Sequence, residues 1–221
     1  MDHYLFVGNP GTGKTTVARI MGNIFYSLGV LPSNRLLEVT RKDLVEGYVG
    51  QTATKTARVV KRAVGGVFFI DEAYSLMGDN FGQEATNTIL PMLLDYKGKM
   101  VCIAAGYPRE IRQWIDTNSG LESRFTKVIH FEDYNPDELA QIFRMKAKKD
   151  KLTLTPEAEN AMRVYFTDLY NRRERNFANA REVNNYFDRV KKNQSSRLRH
   201  EMERPGFDPA SYSILLPEDM G

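Results

Sequence analysis

The sequence predicts an α/β fold with a parallel sheet, followed by a smaller helical segment. Three observations predict it. Short apolar runs alternate with amphipathic stretches up to residue 132. Two of the runs, Gly66–Ile70 and Met100–Ala105, show no polar alternation, as in strands buried on both faces. After Phe131 the strand signals stop and helix starts take over. Strands alternating with helices need crossover connections, and crossovers make the sheet parallel.

Taken in order, His3–Val7 reads as the first strand. Lys14–Leu28 reads as a helix, with Val17, Ile20, Met21, Ile24, Phe25 and Leu28 at helical spacing. Arg35–Val39 is a second strand, and Gln51–Val64 a helix striped by Ala53, Ala57, Val60 and Val64. Gly66–Ile70 follows as a strand and Gln83–Leu94 as a helix. Pro91 sits inside that helix, lacks an N–H for Asn87 and should kink it. Met100–Ala105 and Lys127–Phe131 complete five strands. Asn135-Pro136-Asp137-Glu138 and Thr155-Pro156-Glu157 each pair a polar cap with proline at the first helical position. A third helix is expected from Asn179 to Ser195. The expected domains are 1–132 (nucleotide-binding α/β), 133–200 (helical) and 201–221 (an irregular tail carrying Pro205, Gly206, Pro209 and Pro217).

Composition narrows the class. The chain has 221 residues, 42% of them hydrophobic and 27% charged, an ordinary globular balance that excludes a wholly disordered or fibrous chain. Its net charge of +3 is too small for a dedicated nucleic-acid binder, so nucleic acid is not an expected partner. No apolar run approaches the roughly 20 residues of a membrane helix. The single cysteine, Cys102, cannot form an internal disulfide and has no zinc-site neighbours, which favours a reducing, cytoplasmic compartment and no structural metal. His3, His130 and His200 stand apart from any nucleophile. The basic stretches Arg144–Lys149 and Arg189–Arg199 read as solvated helix faces.

Gly8-Asn9-Pro10-Gly11-Thr12-Gly13-Lys14-Thr15 fits the pattern G-x-x-x-x-G-K-[ST], with a strand before it and a helix after it. The glycines let the backbone curl so that its N–H groups face phosphate oxygens, and the new helix adds its positive end. Lys14 is expected to reach the β- and γ-phosphates, and the Thr15 hydroxyl to ligate Mg²⁺. The second motif, Val67-Phe68-Phe69-Ile70-Asp71-Glu72, is a buried strand ending in two carboxylates. The carboxyl end of such a strand lies at the sheet edge that carries the phosphate loop. Asp71 is placed to hold Mg²⁺ through water. Glu72 is placed to orient and deprotonate the attacking water, a role that favours hydrolysis over transfer to a substrate hydroxyl.

These motifs, with the helical segment after them, resemble the AAA+ ATPases. The branch they most resemble holds stage V sporulation protein K, the red-type rubisco activases and the ATPases of ESX secretion. The residues that carry the resemblance are Gly8 to Thr16, Asp43-Leu44-Val45, Tyr48-Val49-Gly50-Gln51-Thr52, Phe69 to Tyr74, Ala105-Gly106-Tyr107, Ser123-Arg124-Phe125 and Asn179-Ala180-Arg181. The resemblance implies a three-layer domain on a five-stranded parallel sheet, a helical lid and a homo-hexameric ring. It implies ATP and Mg²⁺ as cofactors and a protein substrate as partner. By position, Arg124 is similar to the arginine finger that reaches a neighbouring subunit's nucleotide. Arg181 is similar to the lid arginine that touches the γ-phosphate. Tyr48-Val49-Gly50 is similar to the pore loop of threading machines, and Phe81 is a weaker candidate for a second such loop. Tyr107 stands where many members place a small polar residue, often Asn. Members of the family carry a segment before the first strand that helps enclose adenine, which implies a domain cut from a longer protein. Two other readings stay open at this point: a nucleic-acid motor or clamp-loading ATPase, and an ATP-dependent assembly scaffold.

Overall fold

The computed structural model describes residues 2–48, 50–202 and 208–221. The chain divides into two compact units, residues 1–9 with 13–132, and residues 10–12 with 133–221.

The first unit holds β1 (Tyr4–Gly8), α1 (Lys14–Ser27), β2 (Leu36–Val39), α2 (Arg41–Leu44), α3 (Gln51–Ala63), β3 (Val67–Ile70), α4 (Asn80–Asp95), β4 (Val101–Gly106), α5 (Pro108–Asp116), α6 (Ser119–Arg124) and β5 (Lys127–Phe131). The strands form one five-stranded sheet in the order β2-β3-β4-β1-β5, and every pairing in it is parallel. Every residue of β3 and β4 is buried, which accounts for their unbroken apolar runs. On one face α1 packs Ala18, Val17, Met21 and Phe25 against Phe6, Phe69 and Ile103. On the other, α3, α4, α5 and α6 pack Val60, Ile89, Leu93, Ile111, Trp114 and Leu121 against Leu5, Phe68 and Cys102.

In the second unit, α7 (Pro136–Lys149), α8 (Pro156–Asn171) and α9 (Ala180–Met202) enclose a core of Leu139, Phe143, Met162, Phe166, Val183, Tyr186 and Val190. Asn135 and Glu138 form a reciprocal capping box at the start of α7, and Thr155 caps α8. Among its described residues the regular structure is helical except for a parallel pair of two-residue strands, β6 (Thr153–Leu154) and β7 (Ile214–Leu215).

Four expectations change. The helix expected at Gln83–Leu94 starts at Asn80, because Asp79 caps it by accepting the Gly82 N–H at 2.8 Å. Phe81 therefore lies on the first turn of α4, half-buried, and not on a loop. The last long helix runs on to Met202. The tail is not irregular across 208–221: it forms a 3-10 turn, β7 and a second 3-10 turn, Pro217–Met220. Its order is long-range in origin. Leu215 and Met220 enter the second core, and Asp219 forms a two-point pair with Arg197, Nε–Oδ1 and Nη2–Oδ2 both 2.9 Å. α4 passes through Pro91 as one continuous helix. No helix among the described residues is long and apolar enough to cross a membrane.

Candidate nucleotide site

β1 and β3 both flank β4, so the residues leaving their carboxyl ends emerge on the same edge of the sheet, on either side of Gly106–Tyr107. After β1 the chain turns through Gly11 at φ 73° and Gly13 at φ 91°, left-handed conformations that side chains rarely adopt. Gly13 opens α1. The Lys14 ammonium donates to the carbonyls of Gly8 and Asn9, at 2.9 and 2.7 Å, which folds the lysine back over its own loop. The Thr15 hydroxyl lies 3.5 Å from the Glu38 carboxylate on β2. Thr16 is exposed on the first turn of α1.

After β3, the Asp71 N–H continues the ladder by donating to Val39 O at 2.8 Å. The Asp71 carboxylate accepts the Glu72 N–H at 3.0 Å. Glu72 itself is exposed and sits at φ 50°, ψ 45°, a left-handed conformation that costs a glutamate about 1–2 kcal/mol. Such strain persists where the surrounding structure imposes it, and it gathers at functional sites. The 3-10 turn that follows, Ala73–Leu76, sets the Tyr74 ring 6.0 Å from that of Tyr107. Burial, and then the nearby Glu72 charge, push the Tyr74 hydroxyl up to about 12, so it stays protonated. Tyr107 caps α5 without a side-chain bond to the helix. The oxygen donors Thr15, Asp71 and Glu38 are hard ligands of the kind Mg²⁺ takes, and none of them is a sulfur or imidazole that would favour a softer metal.

Sequence reasoning missed Glu38. A charged residue in the short β2 run was the available signal. It also missed Asn179 as a structural node. Asn179 is fully buried at φ 51°, a conformation asparagine tolerates better than most residues. Its amide accepts the Tyr134 N–H at 2.8 Å and donates to Asp133, Phe177 O and Pro10 O. The Tyr134 hydroxyl donates to Thr12 O at 3.0 Å, and the Ala180 N–H to Gly11 O at 3.2 Å. A Cβ on Gly11 would fall 2.2 Å from Ala178 O. The tip of the glycine loop, Pro10–Thr12, is thus gripped inside the second unit. Arg181 is exposed on the first turn of α9.

Arg124 ends α6. Its Nε donates to Leu90 O at 3.1 Å, and its Nη1 to Gly120 O at 3.0 Å and to the Ser123 hydroxyl at 2.9 Å. Tyr48 is 73% exposed on the connection between α2 and α3. The base of that connection is fixed: the Glu46 N–H donates to Thr52 Oγ1 at 2.9 Å, and Lys55 bonds Val45 O and the Glu46 carboxylate. Gly50, at φ 81°, opens α3, while Val49 lies outside the described residues.

Comparisons with known proteins show the family to which the chain belongs. Residues 4–133 match the model of the ATPase family associated with various cellular activities (AAA), and residues 135–221 match that of the AAA lid domain. Protein CbbX of Cereibacter sphaeroides is 41% identical over 99% of this chain and 71% of its own length. The chloroplastic ribulose bisphosphate carboxylase/oxygenase activase of Cyanidioschyzon merolae is 43% identical over 89% of this chain and 68% of its own. The ESX-1 secretion system protein EccA1 of Mycobacterium tuberculosis is 46% identical over 71% of this chain, which is 28% of that protein. Among solved structures, the FIGL-1 AAA domain superposes with a TM-score of 0.69 at 17% identity, over 99% of this chain and 68% of that one, a likeness of fold. On these matches the chain belongs to the AAA ATPase family, in the branch that holds the red-type rubisco activases and the ESX secretion ATPases.

Proposed function

We propose that this ATPase binds ATP with Mg²⁺ at Gly8–Thr16 and, as a ring of copies, uses hydrolysis to remodel a protein partner. The observation that carries the reading is the sheet order. It sets the glycine loop after β1 and the Asp71–Glu72 pair after β3 on one edge, with only β4 between them. Backbone N–H groups of the loop and the start of α1 would bind the phosphates. Lys14 would exchange its two carbonyl partners for phosphate oxygens. Thr15 and Asp71 would hold the Mg²⁺, which when bound supplies neutralisation of phosphate charge. Glu72 would take the proton of the attacking water. Arg124 would leave Leu90 O and Gly120 O to reach a neighbouring copy's nucleotide, and Arg181 would act on the nucleotide of its own copy. Tyr48 and Gly50, with Val49 between them, would face the partner from the ring's pore. The likeness to a protein named a ribulose bisphosphate carboxylase/oxygenase activase makes that carboxylase the first partner to test.

The experiment is a pair of variants with a labelled ATP analogue and a phosphate-release assay. Glu72→Gln should bind ATP as the parent does and turn it over at least about 100-fold more slowly, since it keeps the shape and loses the base. Lys14→Ala should lose binding. Fast turnover by Glu72→Gln would place the base elsewhere.

A further inference from the structure

Three consecutive carbonyls at the tip of the glycine loop, those of Pro10, Gly11 and Thr12, are each taken by a group of the second unit, to which these residues themselves belong. The Asn179 amide donates to Pro10 O at 3.3 Å, the Ala180 N–H to Gly11 O at 3.2 Å, and the Tyr134 hydroxyl to Thr12 O at 3.0 Å. The three donors form one cluster. Asn179 and Ala180 are adjacent, and the Tyr134 N–H donates to Asn179 Oδ1 at 2.8 Å, which fixes which end of that amide faces the loop. Asn179 is fully buried, and its N–H₂ is shared with the Asp133 carboxylate and Phe177 O, at 2.8 and 3.0 Å. Burial, and then the Glu138 charge, raise the Tyr134 hydroxyl above its usual 10, so it stays a donor at neutral pH.

In a trans peptide unit the C=O and the N–H that follows it point in opposite directions. Drawing three successive carbonyls toward one cluster therefore turns the N–H groups of Gly11, Thr12 and Gly13 away from it, to a common side. The dihedral angles agree. Gly11 (φ 73°) and Gly13 (φ 91°) are left-handed and Thr12 between them is not, the alternation that gathers successive N–H groups into an anion-binding concavity. A glycine loop left to itself samples many conformations, and ordering it at the moment of binding would lower affinity. A loop whose carbonyls are already held avoids that loss.

We propose that Asn179 and Tyr134 are positioning residues for the phosphates: from behind the glycine loop they preset its N–H groups, so that the second unit sets anion affinity through the loop's backbone. This rests on the reading of Gly8–Thr16 as the ATP site. The test titrates the full chain, labelled with ¹⁵N-glycine, with pyrophosphate, which has the phosphates and neither base nor ribose. Each variant addresses one peptide unit. Tyr134→Phe takes the hydroxyl bond from Thr12 O, so the Gly13 cross-peak should respond most. Asn179→Gly, which tolerates the φ of 51°, takes the amide bond from Pro10 O, so the Gly11 cross-peak should respond most. Tyr134→Phe should bind pyrophosphate roughly three- to tenfold more weakly, the order of one neutral hydrogen bond, with the thermal midpoint of the ligand-free chain unchanged. Its Gly13 cross-peak should broaden in the free chain and sharpen again at saturation, a rescue by ligand that a merely structural role does not give. Affinity equal to the parent's would overturn the proposal. So would a loss of affinity matched by a fall in the midpoint, since the hydroxyl would then serve the fold alone. If the parent itself does not bind pyrophosphate, the ATP reading of the loop falls and takes the positioning role with it; binding by the parent with no effect of the variant removes the positioning role alone. If Asn179→Gly fails to fold, Tyr134→Phe, which keeps the ring, decides.

Discussion

Single residues here carry conflicts that the fold resolves. Glu72 accepts left-handed strain at the point where the proposed chemistry needs an exposed carboxylate. His3 accepts burial. It is 5% exposed just before β1, and its Nδ1 accepts the Cys102 N–H at 3.0 Å, an arrangement open only to a neutral ring. Burial is the largest influence on it and lowers its pKa below the usual 6.5; the Leu93 backbone opposes that and is outweighed. A histidine whose folded-state pKa is depressed stabilises the fold while both states are neutral. Its contribution is full above about pH 6.5 and is lost as the pH falls through the lowered folded value. Chemical denaturation from pH 7.5 down to pH 5 should therefore show stability dropping on the acid side. His3→Gln, which can still accept from Cys102, should flatten that part of the curve. An unchanged slope in the variant would assign the loss to the carboxylates.

At the scale of elements, what was legible followed from local pattern. β3 and β4 announced themselves because both faces are covered, and α7 and α8 because cap and proline precede them in sequence. α5 was readable in principle, since Ile111, Trp114 and Ile115 follow Pro108 at helical spacing, and all three are buried. α2 and α6, with four and six residues, are too short to display a period. The glycine loop after β1 and the carboxylates after β3 could be placed on their elements because the motif fixes residue types at fixed spacing next to a strand. The grip of Asn179 on Pro10 was not, because it joins positions 169 residues apart. The C-terminal segment was missed for the same reason, since proline and glycine signal loops locally while the anchors are distant. Its pair is well buried, with the Arg197 and Asp219 side chains 9% and 1% exposed. Removing one partner of a buried pair strands the other charge and costs about 3–5 kcal/mol. Asp219→Ala should lower the stability of the second unit by that order in thermal or urea unfolding. A loss below about 1 kcal/mol would mean that Glu201 and Glu218, which also pair with Arg197, are enough to hold the arginine.

At the scale of the whole molecule, two of the proposed roles need more than one copy of the chain. Arg124 is satisfied within its own unit by Leu90 O, Gly120 O and Ser123, so a role at a neighbour's nucleotide requires assembly to supply a better partner than two carbonyls. A phosphate is such a partner for a guanidinium. Turnover per subunit should then rise with protein concentration. Arg124→Ala should abolish that rise at a cost on the order of 10³ in rate, and Arg124→Lys should restore little of it, because an ammonium lacks the planar fork. Full activity at dilutions where sedimentation shows only monomer would remove Arg124 from the chemistry. Tyr48 makes the complementary case. It is 73% exposed on a loop whose base is pinned by Thr52 and Lys55, so most of its surface is open to a partner. It leaves α2 after β2, while the carboxylates leave β3, so its loss should not disturb Asp71 or Glu72. An aromatic anchor at a protein contact is often worth 2 kcal/mol or more, on the order of thirtyfold. Tyr48→Ala should keep basal ATP turnover within about twofold and lower partner-stimulated turnover by about that thirtyfold factor. If both rates fall together, the tyrosine supports the ATP site; if neither falls, the partner is not held through this loop, and ATP-driven assembly without threading becomes the better proposal.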